Sequence, residues 1–481
     1  MDIEKHSAFA RDDIYPLHAL DNNPNWVNWV MRFNDVLDAQ KLNSSLSRLL
    51  EIGDWRKFGG RIRCKGKKEW KIHVQNSSAT KRENVSFSHL TYDMRLQDHP
   101  VARNLPKETD GPSTHPIPSD FRPFIARADF PKFEEVSQKD IAPIFLHVTS
   151  FRDATIAALV WPHVLMDVMG GQALLAAWSS VLAGREEDVP PVLGAREDIL
   201  QHPAIVADDD DEFILGKSRL TGLSLLIFQL RSLWDMIRSG SRERRVIFLP
   251  KASYEKLKIR TRQEVATVAP EAEPAPFVSE SDILTAWATR AIALSEPNSR
   301  SIVIMSLLNL RFRIPLLLQS SGVFIQNMVL GTYAFLSSQV AKGPLGPIAL
   351  GHRQHVTEQG TEQQTRKFLK AVMADIEAGR APRVLFGNSD SVAVIFNNVI
   401  KAELMKTANF GPAVITQGEN TETRTNPLGT MVNYFNESLD NTFEGLNIFV
   451  MLGKDHAENY WFMGTLLPRA WDVIEEELRN L

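Results

Sequence analysis

Two apolar runs of β character, 143–150 and 155–161, stand on either side of the turn-like pair Arg152-Asp153, and a helical repeat begins shortly after them. No other stretch constrains the chain as much. Apolar runs of this length bounded by turn residues form strands, and a short polar break folds two of them into a hairpin. The second run leads into Trp161-Pro162-His163-Val164-Leu165-Met166-Asp167-Val168-Met169-Gly170-Gly171. Ala173, Leu174, Ala177, Trp178, Val181 and Leu182 then recur at helical spacing, and Gly184 stops the helix. His163 is therefore expected on a short strand-to-helix connection, where backbone geometry commonly carries function.

Histidine is the side chain best suited to taking a proton near neutral pH, because its unperturbed pKa is about 6.5. A histidine at a strand end, with glycine nearby to admit a substrate, fits a general base. His-x-x-x-Asp also arises by chance in long chains, so on these residues alone a structural contact of His163 with Asp167 competes with catalysis.

A chain of 481 residues exceeds one ordinary core, so two or three domains are expected. The formal net charge of −4 supplies no basic excess to neutralise phosphates, which argues against a nucleic-acid partner. Cys64 is the only cysteine, which excludes an intramolecular disulfide and a multi-cysteine metal site; no metal is expected. The charged N-terminus has no apolar stretch behind it and does not read as a secretory signal. The most apolar windows, 155–160 and 220–230, fall short of the roughly 20 residues that a spanning helix needs. The second is flanked by Lys217, Arg219 and Arg231 and reads as a buried or interfacial helix, with membrane contact as the alternative. These features together suggest a cytoplasmic monomer without an integral membrane segment.

Elsewhere the chain alternates strand and helix signals. Segments 25–34, 70–74, 85–88, 246–250, 301–308, 391–396 and 446–452 read as strands, and 324–329 and 332–336 as further short apolar segments. Segments 41–52, 253–262, 279–293, 360–378 and 468–481 read as helices. The stretch 95–135 is rich in proline and charge and reads as long loop with few core positions; 265–276 also reads as loop, and the acidic run 208–212 as a solvated one. The expected organisation is mixed α/β, with halves 1–185 and 246–481 joined by a crossover linker 186–245, and a segment near 390–415 crossing into the first half. A cleft between the halves is the natural place for a substrate.

Several short motifs, in order, resemble the BAHD-type CoA-dependent acyltransferases of plants and fungi. Leu17-His18-Ala19-Leu20-Asp21 is similar to the family's N-terminal Leu-Ser-x-x-Asp, and Gly59-Gly60-Arg61-Ile62 to its Gly-Arg turn after the first helix. Val278-Ser279 resembles the Val-Ser segment, Asn309-Leu310-Arg311-Phe312-Arg313 the Arg-x-Arg segment, and the stretch around Asn327 the Gly-Asn stretch. Asn409-Phe410-Gly411-Pro412 stands where the family has Asp-Phe-Gly-Trp-Gly. Val168 replaces the glycine that usually follows the motif aspartate, and Asn409 and Pro412-Ala413 are further departures. They point to the fungal natural-product branch.

The resemblance implies two chloramphenicol-acetyltransferase-like domains with the active site at their interface. It implies O-acyl transfer, acetyl above all, from acyl-CoA as co-substrate to a hydroxyl of a small secondary metabolite. His163 would be the base, with no acyl-enzyme. Asp167 would turn away and pair with Arg311. Asn409 and Gly411 would support the fold, Asn398 would be a candidate oxyanion donor, and Ser279 and Lys251 candidate CoA contacts. Gly170 and Gly171 would let the chain turn into the helix, or alternatively aim their amides at an acyl or phosphate group. A condensation-domain-like enzyme and a non-catalytic scaffold are the competing readings. Against the first, Pro162 stands where such domains carry a second histidine.

Overall fold

Strand Thr155–Pro162 is buried at every position, as a continuous apolar run covered on both faces must be. In the computed structural model, which describes residues 12–65, 69–75, 82–202, 212–268, 276–418, 424–437, 439 and 446–481, this strand is the middle of a five-stranded sheet. The order is Met431–Phe435, Trp26–Phe33, Thr155–Pro162, Phe145–Ser150, Ser86–Thr91. The expected hairpin is present, with Ser150 opposite Thr155. Helices Ala39–Leu49 and Val168–Leu182 pack against each other, and the indole of Trp178 donates to Ser45 Oγ at 2.9 Å. Asp38 caps the first helix and Asp167 the second through their side chains.

A second, seven-stranded sheet runs in the order Val329–Leu336, Ile302–Asn309, Val392–Asn398, Asn447–Lys454, Tyr460–Leu466, Glu243–Leu249, Ser113–Pro116. Its two parallel pairings join Ile302–Asn309 to Val392–Asn398 and the latter to Asn447–Lys454. Helices Lys251–Val268, Glu280–Ser295, Leu345–Gln359 and Pro468–Arg479 contribute to the core on one of its faces.

The halves exchange strands. Ser113–Pro116 from the first half closes the edge of the second sheet beside Glu243–Leu249. Met431–Phe435 from the second half closes the edge of the first sheet beside Trp26–Phe33. Val414–Gln417 also crosses, pairing with Asp35–Leu37. A single buried core consequently runs through the junction, placing Val246, Phe248, Trp461 and Met463 with Trp29, Phe33 and Trp161.

Several expectations need correction. The stretch 95–135 contributes Leu96, Ala102, Leu105, Phe121, Phe124 and Phe133 to the core, and it holds the exchanged strand. Its apolar residues follow no period because short 3-10 turns rather than regular elements present them. The crossing segment begins a little later than 390: Val392–Asn398 is an interior strand of the second sheet, Val399, Leu404, Met405, Phe410 and Ala413 pack into the core of the first half, and the crossing strand pairs follow at 414–435. Helix Leu345–Gln359 and strand Tyr460–Leu466 were not anticipated, the former because Gly346, Pro347 and Gly351 read as breakers. The apolar window at 220 is the start of helix Gly222–Ser239, whose large apolar residues are largely exposed. The loop expected at 265–276 is helical up to Val268. Residues 269–275, and 208–211 of the acidic run, lie outside the described residues.

Candidate active site

The connection between strand Thr155–Pro162 and helix Val168–Leu182 is held at both ends. His163 N donates to Asn25 O at 2.8 Å. Trp161 Nε1 reaches across the turn to Met166 O at 3.2 Å. His163 O accepts from the side-chain amide of Asn327 at 2.8 Å. The backbone of His163 is thus fixed from two other segments, one of them in the second half of the chain. Its imidazole Nδ1 is buried with no hydrogen-bond partner, whereas Nε2 is neither buried nor bonded to protein. The side chain therefore offers one nitrogen to a ligand.

Asp167 faces the other way. Its Oδ1 accepts from Gly170 N at 2.9 Å, capping the helix. Its Oδ2 accepts from Arg311 Nη1 at 2.7 Å and from Met328 N at 3.0 Å. Arg311 also donates to Phe324 O at 3.0 Å and Gln326 O at 2.6 Å. Both ions are nearly inaccessible, at 3% and 11% side-chain exposure, so each depends on the other for solvation. The pair clamps the backbone from Phe324 to Met328 onto the His163 loop.

Asn327 sits inside that clamped segment. Its backbone N and Nδ2 both donate to Asp21 Oδ1, at 2.9 and 2.7 Å. Asp21 is buried, which raises its pKa, while Lys57 and His18 oppose that rise. Lys57 is buried as well and donates to Ala195 O at 3.2 Å; burial lowers its pKa. The N-terminal motif thus reaches the His163 loop through Asn327.

The glycine pair has a steric cause. A Cβ on Gly170 would lie 2.3 Å from Ile325 O, and one on Gly171 2.5 Å from the Trp29 ring. Their amides are not free for a ligand: Gly170 N is bonded to Asp167 Oδ1 and Gly171 N to Asp167 O. Val168, at the usual glycine position, is simply the first residue of the helix, where a β-branched residue meets no strain.

Asn409 and Gly411 lie on the far side of the same helix. Asn409 N donates to Ser179 Oγ at 3.0 Å and its Oδ1 accepts from Gly411 N at 3.1 Å, while Phe410 packs on Trp178 with centroids 4.4 Å apart. Asn398 is exposed; its amide donates to Ser281 Oγ at 2.9 Å and its Oδ1 accepts from Ile400 N. Its amide is thereby tied to the helix Glu280–Ser295.

That helix borders a cavity of about 350 Å³ that contains both Lys251 and Ser279. Lys258 and Lys454 in its wall are paired with Glu255 and Glu280, each at 2.8 Å. Lys251 and Arg262 have no hydrogen-bonded carboxylate among the described residues, although Glu255 in the same wall attracts both through space and Glu458 attracts Lys251. Ser279 is less available: its hydroxyl donates to Asp282 Oδ2 at 2.6 Å within a capping box. Asp282 in turn accepts from His352 Nδ1 at 2.7 Å, and His352 Nε2 meets Ser306 Oγ at 2.8 Å. Burial pushes the Asp282 carboxyl up, but the bonds from His352 and Ser279 outweigh it and leave the pKa lowered.

The basic wall was legible in part. Lys251, Lys258 and Arg262 fall at helical spacing on one face of Lys251–Val268. Nothing in the sequence links Asp282, Ser306 and His352, or brings Asp21 to Asn327.

No protein-family model matches the chain. The O-acetyltransferase PaAT-2 of Phomopsis amygdali is 32% identical over 491 residues, covering 98% of each chain. The acetyltransferase pyiB of Pyricularia grisea is 31% identical over 477 residues, covering 98% of this chain and 94% of its own. Among solved structures, TRI101 of F. sporotrichioides, complexed with coenzyme A and T-2, superposes with a TM-score of 0.66 at 13% identity, covering 97% of this chain and 98% of that one. At that identity the likeness is one of fold.

Proposed function

Because the chain belongs to the fungal branch of the BAHD-type CoA-dependent acyltransferases, with their mixed α/β, chloramphenicol-acetyltransferase-like fold, we propose that it moves an acyl group, acetyl above all, from CoA to a hydroxyl of a small secondary metabolite. The observation that carries this reading is His163, whose backbone is pinned from both halves and whose Nε2 is the one ring nitrogen left open.

In this mechanism His163 Nε2 takes the hydroxyl proton as the oxygen attacks the thioester carbonyl carbon. The tetrahedral intermediate collapses, the C–S bond breaks, and the imidazolium returns the proton to the departing sulfur. The thiolate is a good leaving group, so no acyl-enzyme is needed. A base in this position contributes on the order of 10²–10⁴-fold. A base-ready Nε2 requires the ring proton on Nδ1, which is buried and unpaired.

Asp167 acts as a brace rather than a relay in this reading, because both its oxygens are occupied by the helix cap, Arg311 and Met328. The cavity with Lys251 and Arg262 is assigned to the phosphates of CoA, where two cations without a hydrogen-bonded carboxylate are useful. Ser279 contributes by shaping the helix end. The protein works as a cytoplasmic monomer without a nucleic-acid partner.

The test is thiol release from acetyl-CoA with a panel of hydroxylated acceptors, wild type against His163→Ala. Turnover should fall by about 10²–10⁴-fold, with CoA affinity by calorimetry unchanged. Equal turnover in the variant would sink the assignment.

A further inference from the structure

Helix Gly222–Ser239 carries its apolar residues on the side that faces away from the protein. Leu223, Leu226, Leu230, Leu233, Trp234 and Ile237 are between 48% and 71% exposed. With about 100° of rotation per residue they form one continuous stripe. The opposite side, which rests on the body, holds buried Phe228 together with Ser232 and Asp235, and Asp235 pairs with Arg300 at 2.5 Å. A surface helix serving only its own core would be turned the other way round.

Two cations edge the stripe. Arg231 and Arg238 are exposed, and neither has a carboxylate partner among the described residues. The helix has one acidic residue, Asp235, and it is turned inward. We propose that this helix docks the protein on an anionic lipid surface, lying in the interface with the leucine–tryptophan stripe immersed and the arginines at the headgroups. Such a helix combines apolar burial with attraction to anionic lipid. Self-association through the same stripe would set Leu against Leu but bring no acid from the helix to meet Arg231 and Arg238, so charge complementarity favours lipid over a second copy. No helix among the described residues is long and apolar enough to cross a membrane, so the contact is peripheral.

The experiment is co-sedimentation of the full chain with vesicles of phosphatidylcholine alone or with added phosphatidylserine. Wild type should sediment with the phosphatidylserine-containing vesicles and much less with phosphatidylcholine alone. The double variant Arg231→Glu, Arg238→Glu should bind at least roughly tenfold more weakly. Leu226→Glu with Leu230→Glu should abolish binding, and both variants should keep the wild-type melting transition and CoA turnover. If the leucine variant folds poorly, the arginine variant decides. Wild type that ignores vesicles, or variants that bind like wild type, overturns the proposal. So does a concentration-dependent dimer that the leucine changes disperse without any vesicle binding.

Discussion

The side-chain amide of Asn327 donates one hydrogen to the carbonyl oxygen of His163 and the other to the carboxylate of Asp21, at 2.8 and 2.7 Å. Both donors of that amide are used, and each ends on a group that has little other access to water. Asn327→Ala should therefore cost about 1–3 kcal/mol of stability and lower kcat by on the order of tenfold or more, through a loosened His163 loop. Asn327→Asp, close in shape, should do worse, because it sets a second carboxylate against Asp21 in a buried site. Melting transitions and kcat measured on the same preparations check both.

Asp167→Ala should destabilise by about 3–5 kcal/mol, since Arg311 is left as an unpaired buried cation. The sharper test is Asp167→Asn. A brace predicts that stability in denaturant and turnover fall together. A charge relay predicts that turnover collapses while the denaturation midpoint stays near wild type. The geometry of the Arg311 clamp favours the first outcome.

Gly170→Ala should destabilise by about 1–3 kcal/mol. The added methyl meets the Ile325 carbonyl at 2.3 Å, and that carbonyl cannot retreat easily because Arg311 holds the backbone on both sides of it. Gly216→Ala makes a control, since a Cβ there has its nearest neighbour at 3.9 Å. Thermal denaturation of the pair separates steric exclusion from a general cost of alanine.

Lys251→Ala combined with Arg262→Ala should raise KM for acyl-CoA by roughly tenfold or more, with kcat little changed, because the lost contacts bind substrate and transition state alike. Ser279→Ala should instead cost about 1 kcal/mol of stability through the lost helix cap. Its hydroxyl is already bonded to Asp282, so KM should barely move.

Stability should fall steeply in acid through Asp35. Burial pushes its carboxyl up, but the bonds from Arg424 at 2.8 and 2.6 Å and from Gly429 N outweigh this and hold its pKa below the usual value. A depressed folded-state pKa means stability that is present above the unfolded value of about 4 and is lost as pH falls toward the folded one. Asp35→Asn should be less stable than wild type at neutral pH and show a shallower acid slope. Denaturant midpoints across acid pH measure both.

Much of the first half was readable from local pattern. The hairpin and the helix ending at Gly184 follow from residue spacing alone, and so does the placing of His163 between them. The pairing of Asp167 with Arg311 was expected through the resemblance rather than from spacing, because 144 positions separate the two. Asn398 shows the limit of that route: a strand-end asparagine could face either of two directions, and its bond to Ser281 was not legible in the sequence.

What the sequence determined by itself is the elements with a clear apolar period, since apolar spacing reports on the few residues that share a helix face or strand face. It could not say which partner each face meets. The exchange of Ser113–Pro116 and Met431–Phe435 between sheets depends on backbone pairing between segments far apart in the chain, which leaves no local trace. The outward stripe of Gly222–Ser239 makes the same point. Its periodicity is that of a buried helix, and only tertiary packing, which docked the side with Phe228 and Asp235, decided that the leucines face out.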